Sequence, residues 1–166
     1  MDKASLRQLL TQRLASVDDA KIVSVSQTIN ERLKSAADWL EVRSVFIYAA
    51  QSKWREVDVT EFITWLTTAH PELKVGVAPI SLVAPIPSDG YDVIITPLLG
   101  FDESCHRLGR GAGWYDRFLA RQDQATKIGV GLEMQRVDTV LSESHDISLD
   151  IVLTEQSAYK RHKSTS

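Results

Sequence analysis

The sequence predicts an α/β fold with three layers, α/β/α, in which helices cover both faces of a mostly parallel central sheet. Runs typical of strands alternate along the chain with runs typical of helices. Several of the strand-like runs are apolar at every position, as expected for strands buried on both faces. No internal repeat and no long linker divides the 166 residues. We therefore expect a single domain over residues 1–160, followed by a flexible tail at 161–166.

The first element is predicted to be a helix over residues 2–15. A leucine recurs there every four positions, at Leu6, Leu10 and Leu14, which gives one apolar stripe. Lys3 and Arg7 are also four residues apart, so they share a different face of the helix. Taken alone, this basic pair is typical of a solvated face.

A second helix is predicted to begin near Ser16, because Ser16 followed by Asp19 resembles a capping box. Its apolar residues follow at core spacing, with a break near Ala36, at Ile22, Val25, Ile29, Leu33 and Leu40.

The remaining elements alternate between the two types. Strands are predicted at 44–50, 74–80, 91–99, 127–132 and 147–154. Helices are predicted at 58–69, with Phe62, Ile63 and Leu66 facing inward, and from Trp114 to about Arg121. Residues 81–90 contain two prolines and a glycine without periodicity, which predicts a loop.

Composition excludes several classes of function. The net charge of -3 gives no global basic field for nucleic acid, and no apolar run approaches membrane-spanning length. The single cysteine, Cys105, cannot form an internal disulfide, and the N-terminus lacks the apolar core of a signal peptide. We expect a cytoplasmic protein, a monomer or a weak homodimer, with small molecules as its partners.

The stretch RLGRGAGWYDRF, residues 107–118, is the most informative part of the sequence. Its glycines are spaced too closely for the dinucleotide-binding fingerprint, and the chain has no P-loop sequence. Glycines at alternate positions still allow successive backbone N–H groups to turn toward one anion, because no Cβ opposes a positive φ.

The position of this glycine loop also favours phosphate. It follows a predicted strand and opens a helix, where α/β sheets bind ligands. Arg107 and Arg110 add fixed positive charge. Asp116 would be a poor neighbour for phosphate by itself but suits Mg²⁺, which often bridges one carboxylate and substrate phosphates. The plainer alternative is a tight strand–helix turn with surface arginines.

The segment PLLGFDESCHRLGRGAGWYDRFL, residues 97–119, resembles the signature of the 5-formyltetrahydrofolate cyclo-ligase family. The similarity continues elsewhere in the same order. It includes Lys3 and Arg7 near the N-terminus, Glu56 in REVDVTEF, the segment GLEMQ at 131–135, and the pair His145-Asp146.

The resemblance implies an enzyme in which Mg·ATP phosphorylates the formyl oxygen of 5-formyltetrahydrofolate. Attack by N10 and loss of phosphate then give 5,10-methenyltetrahydrofolate. It implies Mg²⁺ as cofactor, ATP as co-substrate, and catalytic roles for Arg110 and Tyr115. It places the folate at Gln51, Glu56, Trp114 and Tyr115, and the metal at Asp116 and Asp146. The implied ATP-binding residues are Lys3, Arg7, Arg107, Leu108, Gly109, Arg110, Gly111, Ala112, Gly113, Trp114 and Tyr115.

The chain departs from the family pattern in three places. Cys105 stands where the family usually has glycine, and Trp114 stands where it usually has tyrosine. The segment between the strands at 74–80 and 91–99 is shorter than in the family, where it helps to enclose the folate. A non-catalytic or substrate-altered paralogue that binds nucleotide or folate is therefore an alternative. A different enzyme class on a related scaffold, such as a sugar-phosphate isomerase, is another.

Several single residues have plainer interpretations. Glu56 could be a surface residue before a helix, and His145-Asp146 could be a loop pair or a cap. Trp54 and Trp65 are predicted to be packing residues. His106 beside Cys105 lacks a second pair at ligand spacing, so we predict no metal site there.

Overall fold

A computed structural model describes residues 1–162 of the chain. It confirms the α/β fold with a mostly parallel central sheet. The four helices are α1 (Lys3–Ala15), α2 (Asp19–Lys34), α3 (Thr60–Ala69) and α4 (Trp114–Leu119). The eight strands are β1 (Ser44–Ile47), β2 (Lys74–Val77), β3 (Val93–Pro97), β4 (Gly100–Phe101), β5 (Arg107–Leu108), β6 (Thr126–Val130), β7 (Ile151–Leu153) and β8 (Ala158–Lys160). Single 3-10 turns lie at Ser52–Trp54 and Glu133–Gln135.

The central sheet has six strands in the order β2-β1-β3-β6-β7-β8. The first five are parallel, and β8 pairs antiparallel with β7. The strand β8 was not predicted, because its polar sequence lacks the apolar alternation of a buried strand. A separate antiparallel pair, β4 and β5, leads into the glycine loop.

The strand order places the helices on both sides of the sheet. The connection through α3 moves from β1 to one neighbour, while the connection through α4 moves from β3 in the opposite direction. Because such crossovers are right-handed, the two helices cover opposite faces. Phe118 and Trp114 of α4 contact Phe46 on β1, and these contacts pack α4 against one face of the sheet.

The N-terminal helix follows the prediction closely. Asp2 caps it by accepting a hydrogen bond from the backbone of Ser5, so the helix proper begins at Lys3. The stripe of Leu6, Leu10 and Leu14 is buried.

The second helix differs from the prediction at both ends. Its N-cap is Asp18, whose side chain accepts a hydrogen bond from the backbone of Lys21, whereas Ser16 terminates α1. The capping-box assignment at Ser16 was therefore wrong: an aspartate nearer the helix caps it equally well. The helix ends at Lys34, and Leu40 is 72% exposed while Trp39 fills the core instead.

The parallel strands end earlier than the apolar runs suggested. Residues 48–50, 78–80 and 98–99 leave the sheet, although the apolar sequence continues through them. Pro79 lacks the N–H that a ladder requires, which limits β2. The residues that follow the strands lie at the carboxyl edge of the sheet, and several of their side chains line the cavities described below.

The C-terminal tail was predicted to be flexible over 161–166. Arg161 is held to Asp150 by a backbone bond and by a side-chain bond of 2.8 Å, and residues 163–166 lie outside the described part of the chain. Asp150 also accepts from the backbone of Lys127, so its role is structural. Among residues 1–162, no helix has the length and apolarity needed to cross a membrane.

Candidate active site

The candidate site lies where the direction of strand connections reverses. The chain leaves β1 toward one side of the sheet and leaves β3 toward the other. In open parallel sheets this divergence creates a crevice at the carboxyl ends of the strands, where ligands bind. Here the loops after β1, β2 and β3 all border this crevice, and the glycine loop lies beside them.

A large cleft of about 940 Å³ opens on the side of the glycine loop. Its walls are the N-terminal turns of α1, residues 107–117, and residues 141–147. Lys3 and Arg7 both border it, so their helix face is part of the site rather than a solvated surface. The Nε atom of Arg7 donates to the Gly109 carbonyl at 2.9 Å, which ties α1 to the glycine loop.

The glycine loop depends on its last two glycines for its path. Gly111 has φ 110° and Gly113 has φ 68°, whereas Gly109 does not adopt a positive φ. The expectation that all three glycines serve this purpose was therefore wrong for Gly109. Upstream, Cys105 has φ 63°, a left-handed conformation that explains why glycine suits the same position in the family.

Arg107 is fixed in the wall of the cleft. Its side chain is 5% exposed, its Nε atom donates to the Pro97 carbonyl at 3.1 Å, and its guanidinium lies 5.0 Å from the centre of the Tyr115 ring. Burial lowers the pKa of Arg107, and the carboxylate of Asp116, 3.9 Å away, opposes that shift. A buried cation with one distant counter-ion favours an incoming anion.

Arg110 belongs to a second, smaller pocket of about 40 Å³. Its guanidinium lies 4.6 Å from the ring centre of Trp54 and donates to the Trp54 carbonyl at 2.8 Å. Glu56 also lines this pocket and accepts a hydrogen bond from the Gln51 backbone at 2.8 Å. Burial raises the pKa of Glu56, although Gln51 and Arg110 act in the opposite direction. Glu56 is therefore not a plain surface residue.

The two aromatic residues predicted to contact folate occupy different environments. Tyr115 is 5% exposed and borders both cavities, and burial raises the pKa of its hydroxyl. Trp114 is 1% exposed, stacks on Phe118 and donates to the Ala84 carbonyl. Trp114 borders the large cleft, but packing leaves almost none of its ring exposed, so its contact with folate stays a prediction.

The two predicted metal ligands, Asp116 and Asp146, border the same cleft. One oxygen of Asp146 accepts from Lys3 at 2.5 Å and from the Glu143 backbone at 2.7 Å. Burial tends to raise the pKa of Asp146, but these hydrogen bonds and the Lys3 charge lower it.

These two carboxylates suit a Mg²⁺ ion that is also coordinated by phosphate. Within residues 1–162, no group of three or more His, Cys, Asp or Glu side chains forms a metal cage. Two carboxylates beside several cations fit a Mg²⁺ ion that brings phosphate ligands with it. They do not fit a metal held by the protein alone.

Sequence reasoning missed three contributors to the site. Trp54 was predicted to be a packing residue, but it contacts Arg110. Leu82 borders both cavities, although its segment shows only as a loop in the sequence. Glu143 pairs with Lys3 at 3.0 Å. Only Trp54 had a usable signal, since it lies two residues before Glu56. Trp65 packs on Phe62, as predicted, and the Nδ1 atom of His106 forms a hydrogen bond with Asp102 at 3.0 Å.

The two cavities share one wall. Five residues line both of them, namely Leu82, Arg107, Gly109, Arg110 and Tyr115. A ligand in the cleft and a ligand in the small pocket would therefore meet at the two arginines. Such an arrangement can hold an anionic donor against a second substrate while both groups are shielded from bulk water.

The chain is similar to known proteins over most of its length. Residues 75–155 match the model of the "5-formyltetrahydrofolate cyclo-ligase family". A 5-formyltetrahydrofolate cyclo-ligase of Mycoplasma pneumoniae is 25% identical over 167 residues, covering 94% of this chain and all of that protein. The enzyme of the same name from Escherichia coli K12 is 42% identical over 71 residues, 42% of this chain and 39% of the other.

Similarity to a solved structure extends over the whole chain. The 5,10-methenyltetrahydrofolate synthetase of Aquifex aeolicus has a TM-score of 0.80 at 22% identity, covering 100% of this chain and 96% of that one. This match shows the same fold. The family model and the curated relatives confirm that the chain resembles the cyclo-ligase family.

The length of the Mycoplasma pneumoniae relative bears on the shortened segment at 81–90. An alignment of 167 positions covers all of that protein, so it has no more than 167 residues, against 166 here. A chain this short is therefore compatible with a protein of that name.

Proposed function

We propose that this relative of the 5-formyltetrahydrofolate cyclo-ligases catalyses the ATP- and Mg²⁺-dependent closure of 5-formyltetrahydrofolate to 5,10-methenyltetrahydrofolate, with release of ADP and phosphate, in the cytoplasm. The wall common to the two cavities is the observation that carries the proposal. A phosphoryl group can pass between two bound substrates only if both reach one point, and Arg107 and Arg110 mark that point.

The large cleft takes ATP in this proposal. Lys3, Arg7 and the glycine loop supply cations and backbone N–H groups for the phosphates. Asp116 and Asp146 line the same cleft and would hold Mg²⁺, which would supply positive charge beside the phosphates. Lys3 now donates to one carboxylate oxygen of Asp146, so a Mg²⁺ ion held by Asp146 would compete with Lys3 for this carboxylate.

The small pocket takes the reacting end of the folate. Glu56 and Gln51 offer a carboxylate and an amide to the amine and N–H groups of the pterin. The pocket volume of about 40 Å³ is smaller than a pterin, so the loops that line it separate when folate binds. Ala78, Pro79 and Leu82 line this pocket, and Ile80 within the same segment is 76% exposed, so we expect this side to move.

The reaction proceeds in two steps. The formyl oxygen attacks the γ-phosphorus of ATP, an O–P bond forms, and the bond to the leaving ADP oxygen breaks. N10 then attacks the activated formyl carbon, the C–O bond breaks, and phosphate leaves with the proton that N10 gives up. Arg107 and Arg110 stabilise the negative charge that is shared between the substrates during transfer. Tyr115, packed under Arg107, helps to exclude water.

A near-ultraviolet time course tests this function. Purified protein is mixed with 5-formyltetrahydrofolate, with and without Mg·ATP, because the methenyl product absorbs where the substrate does not. We expect the product band to grow only when Mg·ATP is present. A flat trace from protein that binds ATP in a separate titration would refute the cyclo-ligase and favour an altered substrate or a non-catalytic binder.

A further inference from the structure

We propose that Trp54 is a positioning residue that holds Arg110 in the wall between the two cavities. The proposal rests on the proposed function, because it assigns Trp54 a role in the transfer step that Arg110 assists. Trp54 itself need not touch either substrate. Its effect is exerted through the guanidinium of Arg110.

Trp54 holds Arg110 at two points. The indole ring lies 4.6 Å from the guanidinium carbon, and the carbonyl of the same residue accepts from the guanidinium at 2.8 Å. A stack alone would allow the guanidinium to slide across the ring, and a hydrogen bond alone would allow it to rotate. The two contacts together fix both its plane and its distance from the backbone.

An aromatic partner suits this position better than an acidic one. Burial lowers the pKa of Arg110, and the charge of Glu56, which lines the same pocket without forming an ion pair with Arg110, opposes that shift. A carboxylate in contact with Arg110 would neutralise the charge that the phosphoryl group needs. The face of an indole ring attracts the cation and leaves its charge available to an anion.

The segment that carries Trp54 is itself anchored. Trp54 ends the 3-10 turn Ser52–Trp54, and the next residue, Arg55, adopts φ 55°. The Arg55 side chain forms an ion pair with Asp19 at the start of α2. Tyr48, at the other end of the loop, donates to the Val57 carbonyl at 2.6 Å. The loop is thus tied on both sides of Trp54, which presents the ring in one orientation.

Trp65 offers a matched control within the same chain. It is also partly buried, and it also has a cation over its ring, with Lys34 5.7 Å from the ring centre. It lies on α3 and borders neither the cleft nor the small pocket. Substitution of Trp65 therefore reports the general cost of losing an indole with a cation above it.

The first experiment needs no substrate. Urea unfolding of the wild type, Trp54→Leu, Arg110→Ala and the double variant gives the coupling between the two side chains. We expect the losses in the free energy of unfolding to be non-additive. The second substitution should lower this free energy less when the first is already present. Strict additivity would overturn the contact on which the proposal depends, whether or not the protein is a cyclo-ligase.

The second experiment measures turnover of Trp54→Leu, Trp54→Phe and Trp65→Leu at saturating and limiting substrate. For Trp54→Leu we expect kcat to fall on the order of ten-fold, the factor that matches a desolvated cation–π contact. Trp54→Phe should recover most of that loss, and Trp65→Leu should keep the wild-type kcat. Equal kcat values for Trp54→Leu and Trp65→Leu, or no recovery in Trp54→Phe, would overturn the proposal. An inactive wild type would instead refute the proposed function and leave the unfolding result to decide the contact.

Discussion

Replacement of Gly111 by alanine is expected to weaken productive binding of Mg·ATP and to leave the fold intact. Gly111 has φ 110°, a conformation that side-chain-bearing residues rarely adopt. A Cβ atom added there would lie 3.8 Å from the nearest atoms, those of the Arg7 guanidinium, so it meets no steric clash. The cost is therefore backbone strain, of about 1–3 kcal/mol.

The loop can relieve this strain locally. Gly111 and Ala112 are exposed, so the tip can move while the sheet below it stays folded. A cost of about 1–3 kcal/mol corresponds to a loss of roughly 5- to 150-fold in the population of the productive loop. We expect kcat/KM for Mg·ATP to fall by that factor, while the melting temperature changes little.

Gly90→Ala is the matched control for this experiment. Gly90 lies outside both cavities, its φ is not positive, and no atom lies within 4 Å of an added Cβ. It should behave as the wild type in the same kinetic assay. If Gly111→Ala and Gly90→Ala gave the same kcat/KM, the loop would not need the observed backbone path, and the reasoning about the glycines would fail.

Three further predictions concern the metal, the folate and a buried acid. Asp116→Asn should lower kcat/KM for Mg·ATP at least about ten-fold without loss of folded protein; unchanged kinetics over a Mg²⁺ titration would remove the metal assignment. Gln51→Ala should raise KM for the folate but not for ATP, because Gln51 lines only the small pocket, whereas Gln124→Ala, away from both cavities, should change neither; a folate KM that is the same in both variants would place the folate elsewhere. Because burial raises the pKa of Glu56, the folded state favours its protonated form, and stability from this group declines as pH rises through and above the ordinary carboxyl range. Glu56→Gln should therefore gain melting temperature relative to the wild type between about pH 4 and about pH 7, and a constant difference across that range would argue against the shift.

The sequence predicts the sheet well because buried parallel strands leave a strong signal. Val93, Ile94 and Ile95 are apolar in succession and are buried in the structure, as strands covered on both faces must be. The strand β8 left no such signal, because Ala158 and Lys160 are exposed at a sheet edge. Its position follows from pairing with β7, which local sequence does not encode.

The ends of elements were harder to predict than their existence. Capping residues compete over a few positions, so Asp18 replaced Ser16 at the start of α2. Leu40 has the right spacing for a core face, but the helix stops six residues earlier. Periodicity loses its meaning once the helix that defines it has ended.

The phosphate side of the site could be predicted because its parts are adjacent in sequence. Arg107, Arg110 and Asp116 lie within ten residues, and they line the same cleft. The partnership of Arg110 with Trp54 spans 56 positions of the chain. Trp54 and Arg110 meet because the loops that follow β1 and β3 lie at the same edge of the sheet. The topology of the sheet, rather than any motif, therefore brings the two residues together.

The path of the formyl oxygen shows whether the two substrates react with each other. If the two substrates meet at the wall formed by Arg107 and Arg110, the γ-phosphoryl group of ATP is transferred to the formyl oxygen. The protein is given Mg·ATP and 5-formyltetrahydrofolate labelled with oxygen-18 in the formyl group, and the inorganic phosphate is analysed by mass spectrometry. We predict that each phosphate released with methenyl product carries one labelled oxygen. Unlabelled phosphate would mean that ATP is cleaved without transfer to the folate, and it would contradict the account.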